Sequence, residues 1–151
     1  MLRVELEAWR EILSHACRSY PDEACGALLG LREQEERRVY EAVALSNVWP
    51  GSKRNRYRVD PLELLRAERH ARQRGWDVLG IYHSHPDAAP YFSRTDLEQA
   101  CPWYCYLVVS VRDGAFAAAR CWQPNDELTS VIEQAICLPF GDEQEETCQE
   151  Y

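Results

Sequence analysis

The sequence predicts a mixed α/β fold: a single domain with a central mixed sheet and helices on both sides, spanning residues 1–140 and followed by an acidic, mobile tail over 141–151. Three observations carry this expectation. A chain of 151 residues is the size of one domain and can bury a core of its own. Apolar residues recur at helical steps in 2–17 and 61–74, and these stretches alternate with apolar runs of strand length. The run 78–84 is apolar on both of its faces, as a strand is when both faces of its sheet are covered.

Leu2, Leu6, Trp9, Leu13 and Ala16 fall at three- and four-residue steps, which makes 2–17 an amphipathic helix with a packing role. Its His15 has no liganding partner at suitable spacing. Tyr20-Pro21-Asp22 is a turn, and Glu23 stands immediately before the apolar run Ala24 to Leu31, a buried strand. Residues 32–37 form a charged turn and 38–45 the antiparallel return strand. The loop 47–55 leads into a basic cluster, and an extended backbone there puts Arg54, Arg56 and Arg58 on one face, suited to guiding an acidic or extended partner tail.

Asp60, Pro61 and Glu63 are N-cap, first position and first-turn acid of the next helix, which Gly75 stops. Leu62 and Leu65, with Ala67 and Ala71 on an adjoining flank, supply its buried side, while His70 lies at the surface among Arg66, Arg69 and Arg72. In 78–84, Leu79 and Ile81 share a face with His83, and Val78 and Tyr82 occupy the other. A helix over 94–100 ends near Pro102, and 103–112 with 115–122 form a hairpin turning at Asp113-Gly114. Residues 129–136 form a last strand or a helix, and the acidic end has too little apolar content to fold alone.

The net charge of -8 excludes a nucleic-acid backbone as the default partner. Charged residues interrupt the first twenty positions, leaving no apolar core for a signal peptide or membrane helix, so the expected location is cytoplasmic with no membrane partner. Oligomeric state stays open. Seven cysteines, an odd number without a Cys-x-x-Cys pair, argue for reduced and largely buried thiols, with Cys148 the most reactive.

The chemistry concentrates in Gly80-Ile81-Tyr82-His83-Ser84-His85-Pro86, followed by Ser93-Arg94-Thr95-Asp96. Two histidines two apart share one strand face, Pro86 ends the strand, and Ser93 with Asp96 opens a helix. His83, His85 and Asp96 thereby supply three N/O ligands with room for a fourth, the pattern of a catalytic zinc site holding one Zn²⁺ per chain. The full spacing arises by chance on the order of 10⁻⁵ per chain, whereas each piece alone reads as an ordinary strand end or helix cap. Beside such a motif, Glu23 becomes the candidate general base, with Asp22 its competitor, and Ser93 a candidate donor to a developing oxyanion. Tyr91 and Phe92 are placed to pack beside the metal or touch substrate.

The series Glu23, His83, Ser84, His85, Ser93 and Asp96 resembles the JAMM metalloproteases, the metal-binding branch of the MPN-domain family, without a departure in spacing. The resemblance extends to 21–30 and 56–61, covers about residues 2 to 122, and is nearest to short bacterial members that act on ubiquitin-like sulfur carriers. It implies an MPN fold with cytidine-deaminase-like layering. It also implies a zinc metallopeptidase or isopeptidase that cleaves after the Gly-Gly tail of a small ubiquitin-like or sulfur-carrier protein, with Arg56, Arg58 and Tyr91 as substrate-binding candidates. A non-catalytic MPN-type scaffold that binds proteins is the alternative. A nucleobase deaminase is disfavoured because its His-x-Glu and Pro-Cys-x-x-Cys pattern is missing.

Overall fold

Alternating burial begins at the second residue: Leu2 and Val4 are buried with Arg3 between them, so Leu2–Val4 is a strand (β1) and the helix expected from residue 2 starts later, as α1 (Leu6–Ser19). The computed structural model describes residues 1–140 and 145–149. In order, α1 is followed by β2 (Cys25–Glu33), β3 (Glu36–Leu45), α2 (Pro61–Gln73), β4 (Asp77–Pro86), α3 (Arg94–Glu98), β5 (Cys105–Arg112), β6 (Ala115–Pro124), β7 (Val131–Gln134), β8 (Ile136–Phe140) and β9 (Glu145–Gln149). The strands make one mixed sheet ordered β7-β6-β5-β4-β2-β3-β1-β8-β9. Residues 129–136, open between helix and strand, thus hold β7 and the first residue of β8. Of the tail over 141–151, Glu145–Gln149 pairs with β8, and the rest lies outside the described residues.

The two sheet faces bury separate cores. On one, Trp9, Ile12 and Ala16 of α1 pack over Leu28, Val39, Tyr82, Leu107 and Val109. On the other, Ala67 and Ala71 of α2 cover Ala27, Leu29, Ile81 and Tyr106. Helices therefore flank the sheet on both sides, and the fold is the expected mixed α/β domain. The buried stripe of α2 differs from the expected one: Leu62 is 64% exposed and Leu65 42%, while Leu64 joins Ala67 and Ala71 against the sheet. Asp60 and Pro61 fix where the helix starts, and the Asp60 carboxylate accepts the Leu62 N–H at 2.9 Å. That start turns Leu62 and Leu65 outward. Gly75 stops the helix at φ +74, a backbone that glycine adopts without strain.

β4 lies between β2, which it meets antiparallel, and β5, which it meets parallel. Opposite Leu28 and Leu29 of β2 stand Gly80 and Val78, so Leu79 is the extra residue of a β-bulge. The bulge reverses the facing of the residues before it: Leu79 packs with Tyr82 on the α1 side, and Val78 with Ile81 on the α2 side, opposite to the simple alternation. Downstream the alternation holds, so Ile81, His83 and His85 share the α2 face. The β5–β6 hairpin turns at Asp113 and Gly114, whose φ values of 50 and 81 are those of the tight turn favoured between strands. Among the described residues no helix is long and apolar enough to cross a membrane.

Candidate metal centre

Glu23 directly precedes β2, whose Cys25 pairs with His83 of β4, so antiparallel register brings the acid to the end of β4 that carries the histidines. Ala24 and Ser84 lock this register reciprocally: the Ala24 N–H donates to Ser84 Oγ at 2.8 Å and the Ser84 N–H to the Ala24 carbonyl at 3.0 Å. α3 supplies the third element. Ser93 is its N-cap, with Oγ accepting the Asp96 N–H at 2.9 Å, while Asp96 Oδ2 accepts the Ser93 N–H at 3.0 Å. The capping box fixes the Asp96 rotamer and aims the same Oδ2 at both imidazoles.

His83 Nε2 lies 3.2 Å from His85 Nε2 and 3.2 Å from Asp96 Oδ2, and His85 Nε2 lies 3.4 Å from the same oxygen. The ligand atoms of a tetrahedral zinc with bonds of about 2.0–2.1 Å are separated by about 3.3 Å, so these three atoms have the spacing of one triangular face. Glu23 Oε1 stands 3.8 Å from His85 Nε2, and Glu23, His83 and His85 form a buried group able to hold a metal ion. His85 Nδ1 pairs with the Ala89 carbonyl at 2.9 Å, which makes Nδ1 the protonated nitrogen and leaves the Nε2 lone pair facing the centre. Among the described residues two buried polar side-chain atoms have no hydrogen-bond partner, Glu23 Oε2 and His83 Nδ1. Both belong to this cluster, and an unpartnered buried carboxylate oxygen suits a nearby cation or water. The donor set fits zinc.

Electrostatics agree. Burial pushes the Glu23 carboxyl up to about 9, and the Asp96 carboxylate adds to the effect. Burial also lowers His83, against the pull of Asp96, so its imidazole is neutral and free to coordinate. For Asp96 burial acts upward, but the two histidines and the Ser93 N–H outweigh it and hold the carboxyl well below the usual range. Asp22, the competing acid, is exposed, whereas Glu23 is 4% exposed and faces the cluster.

The remaining candidates take different places. Tyr91 is half exposed with its ring 5.0 Å from that of His85, and the Phe92 ring packs 6.4 Å from His83. Arg56 and Arg58 each lie 4.9 Å from the Trp49 ring. The residue between them, Tyr57, is buried and stacks on His83 at 4.5 Å. Asn47 ties this segment to Glu23, its Nδ2 donating to the Glu23 carbonyl at 3.1 Å and the Arg56 carbonyl at 3.0 Å while Oδ1 accepts the Arg58 N–H at 3.1 Å. Sequence reasoning missed Tyr57 and Asn47. His15 and His70 take no part: His15 Nδ1 pairs with Tyr82 Oη at 2.7 Å, and His70 Nε2 with Glu41 at 2.9 Å. Six cysteines are free thiols, four of them buried, and the Cys148 side chain lies outside what is described.

Residues 5–125 match the family described as prokaryotic homologs of the JAB domain. The chain belongs to this prokaryotic JAB family. A desampylase of Haloferax volcanii is 38% identical over 139 residues, covering 87% of this chain and 96% of that protein. A CysO-cysteine peptidase of Mycobacterium tuberculosis is 32% identical over 140 residues, covering 89% and 93%. A JAB1/MPN domain protein of Archaeoglobus fulgidus has the same fold, with a TM-score of 0.54 at 19% identity over 90% of this chain and 98% of that one. These relatives are named as a desampylase and a peptidase, and the Glu23, His83, His85 and Asp96 cluster of this chain lies within the residues matched by the family.

Proposed function

We propose that this chain is a zinc-dependent, cytoplasmic hydrolase that cleaves the peptide or isopeptide bond following the C-terminal Gly-Gly of a small ubiquitin-like, sulfur-carrier protein. The observation that supports this most is the triangle of His83 Nε2, His85 Nε2 and Asp96 Oδ2 with the buried Glu23 carboxylate alongside. His83, His85 and Asp96 would hold zinc, which would supply Lewis acidity toward a water molecule, of the kind that brings its pKa down to about 7. Glu23 takes the proton of the attacking water and returns it to the leaving amine; burial by itself favours its protonated form, and the positive charge of a bound cation alongside would favour the carboxylate that a base must be. Ser93 Oγ accepts the Asp96 N–H with one of its two lone pairs, and its O–H is the donor offered to the oxyanion. Arg56, Arg58 and Tyr91 hold the tail of the carrier, the arginines fixed by Trp49 and Tyr91 standing exposed beside His85.

The reading is tested by incubating zinc-loaded protein with carrier conjugates bearing cysteine, another amino acid, a peptide or a lysine-linked protein after Gly-Gly, and following intact masses. Release of the carrier ending in Gly-Gly is expected for at least one class. A zinc stoichiometry near zero with His83 and His85 intact would favour the scaffold instead.

A further inference from the structure

A second cluster of charged groups lies far from the metal centre. Parallel pairing sets Cys105 beside Gly80, Val108 beside His83 and Ser110 beside His85, so the start of β5 is three to five residues, roughly 10–16 Å at 3.3 Å per residue, from the level of the histidines. There a cavity of about 460 Å³ opens, lined by Arg32, Arg37, Trp103, Gln123, Cys105 and Cys121 among others. Its volume is that of a small-molecule site.

Arg32 and Arg37 stand directly opposite each other across the β2–β3 pair. Like charges in that position destabilise a sheet. Here they converge further, because the Nη2 atoms of both donate to one oxygen, the Trp103 carbonyl, each at 3.4 Å. Arg37 is held in this pose by Gln123, whose Oε1 accepts from Nη1 at 2.6 Å and whose Nε2 donates to the Pro102 carbonyl at 2.8 Å. Glu35 and Asp126 also line the cavity, yet among the described residues no carboxylate pairs with either guanidinium. Two opposed cations, one clamped in place, therefore share a cavity in which no carboxylate of the described residues pairs with either of them. Cys105 and Cys121 lie buried behind its wall, and Trp103, 63% exposed, adds an aromatic surface.

We propose that this cavity binds a small molecule through an oxyanion, a phosphate or a carboxylate, bridged by the Arg32 and Arg37 guanidiniums. Planar forks match the paired oxygens of such groups, and a bridging anion turns the repulsion between the two arginines into attraction. The site is separate from the hydrolytic centre and does not depend on the function assigned to it.

Inorganic phosphate and succinate serve as probes, titrated into zinc-loaded protein at constant ionic strength set with chloride, with heat of binding and thermal midpoint as readouts. Saturable binding of one or both is expected, at least ten-fold weaker in Arg32→Gln and in Arg37→Gln, and the stronger probe identifies the anionic group. Without anion, Arg32→Gln is expected to raise the midpoint by removing the like-charge pair. Absence of saturable binding overturns the proposal. So does equal binding in both variants, which locates the anion at the His83, His85 and Asp96 centre, and so does a lowered anion-free midpoint for Arg32→Gln, which makes the pair structural.

Discussion

Glu23 and His83 are both buried, yet the proposed mechanism gives them different duties and so different expected phenotypes. Glu23→Ala is expected to keep zinc at one equivalent while turnover falls by about 10²–10⁴-fold, the range for loss of a general base. His83→Ala removes a ligand, so zinc and activity are lost together. Atomic emission of the purified variants with a conjugate-cleavage assay checks both, and Glu23→Ala with full activity would remove Glu23 from the mechanism. At this scale the sequence was informative where spacing encodes geometry: two positions along a strand for the histidines, three along a helix start for Ser93 and Asp96. It was silent where a contact joins distant segments. Nothing local in Tyr57 reveals its stack on His83, and nothing in Asn47 reveals that it bonds to residues 23, 56 and 58.

The elements show where periodicity misleads. Leu2 fits a helical stripe continuing into Leu6 and Trp9, but β3 on one side and β8 on the other offer backbone pairing that outweighs it. In α2 the choice between two leucine stripes is set by Asp60 and Pro61, since the cap fixes the phase of everything after it. The consequence is measurable by chemical denaturation: Leu62→Gln is expected to change stability by no more than about 0.5 kcal/mol. Ala71→Leu, by contrast, overpacks a fully buried site and should cost about 1–3 kcal/mol. In β4 the bulge at Leu79 swaps the faces of Val78 and Leu79 but leaves those of His83 and His85 untouched, which is why the site was legible although the facing before it was not.

Across the whole molecule, three chain segments more than ten residues apart must dock before Glu23, His83, His85 and Asp96 meet, so the centre exists only in the folded state. A metal that binds the fold and not the open chain stabilises by mass action. At zinc one hundred times above its dissociation constant this is about 2.7 kcal/mol, or a rise in thermal midpoint of roughly 5–10 °C for a domain of this size. Scanning calorimetry with and without chelator should find that rise in the native protein and none in His83→Ala. The sheet's two-sided covering, legible in the doubly apolar run 78–84, explains how so polar a cluster is kept from bulk water: α3, Tyr57 and Phe92 close one face over it while α1 seals the other.

The residue separating the two histidines is more than a spacer. Ser84 faces away from the imidazoles and grips Ala24 at both its backbone and its hydroxyl, immediately beside Glu23. If Glu23 is the base we propose, this one hydroxyl helps set the gap across which the proton travels. Ser84→Ala leaves every ligand in place and still frees the acid to drift, so it should retain zinc affinity while kcat drops, and Ser84→Thr should restore the rate.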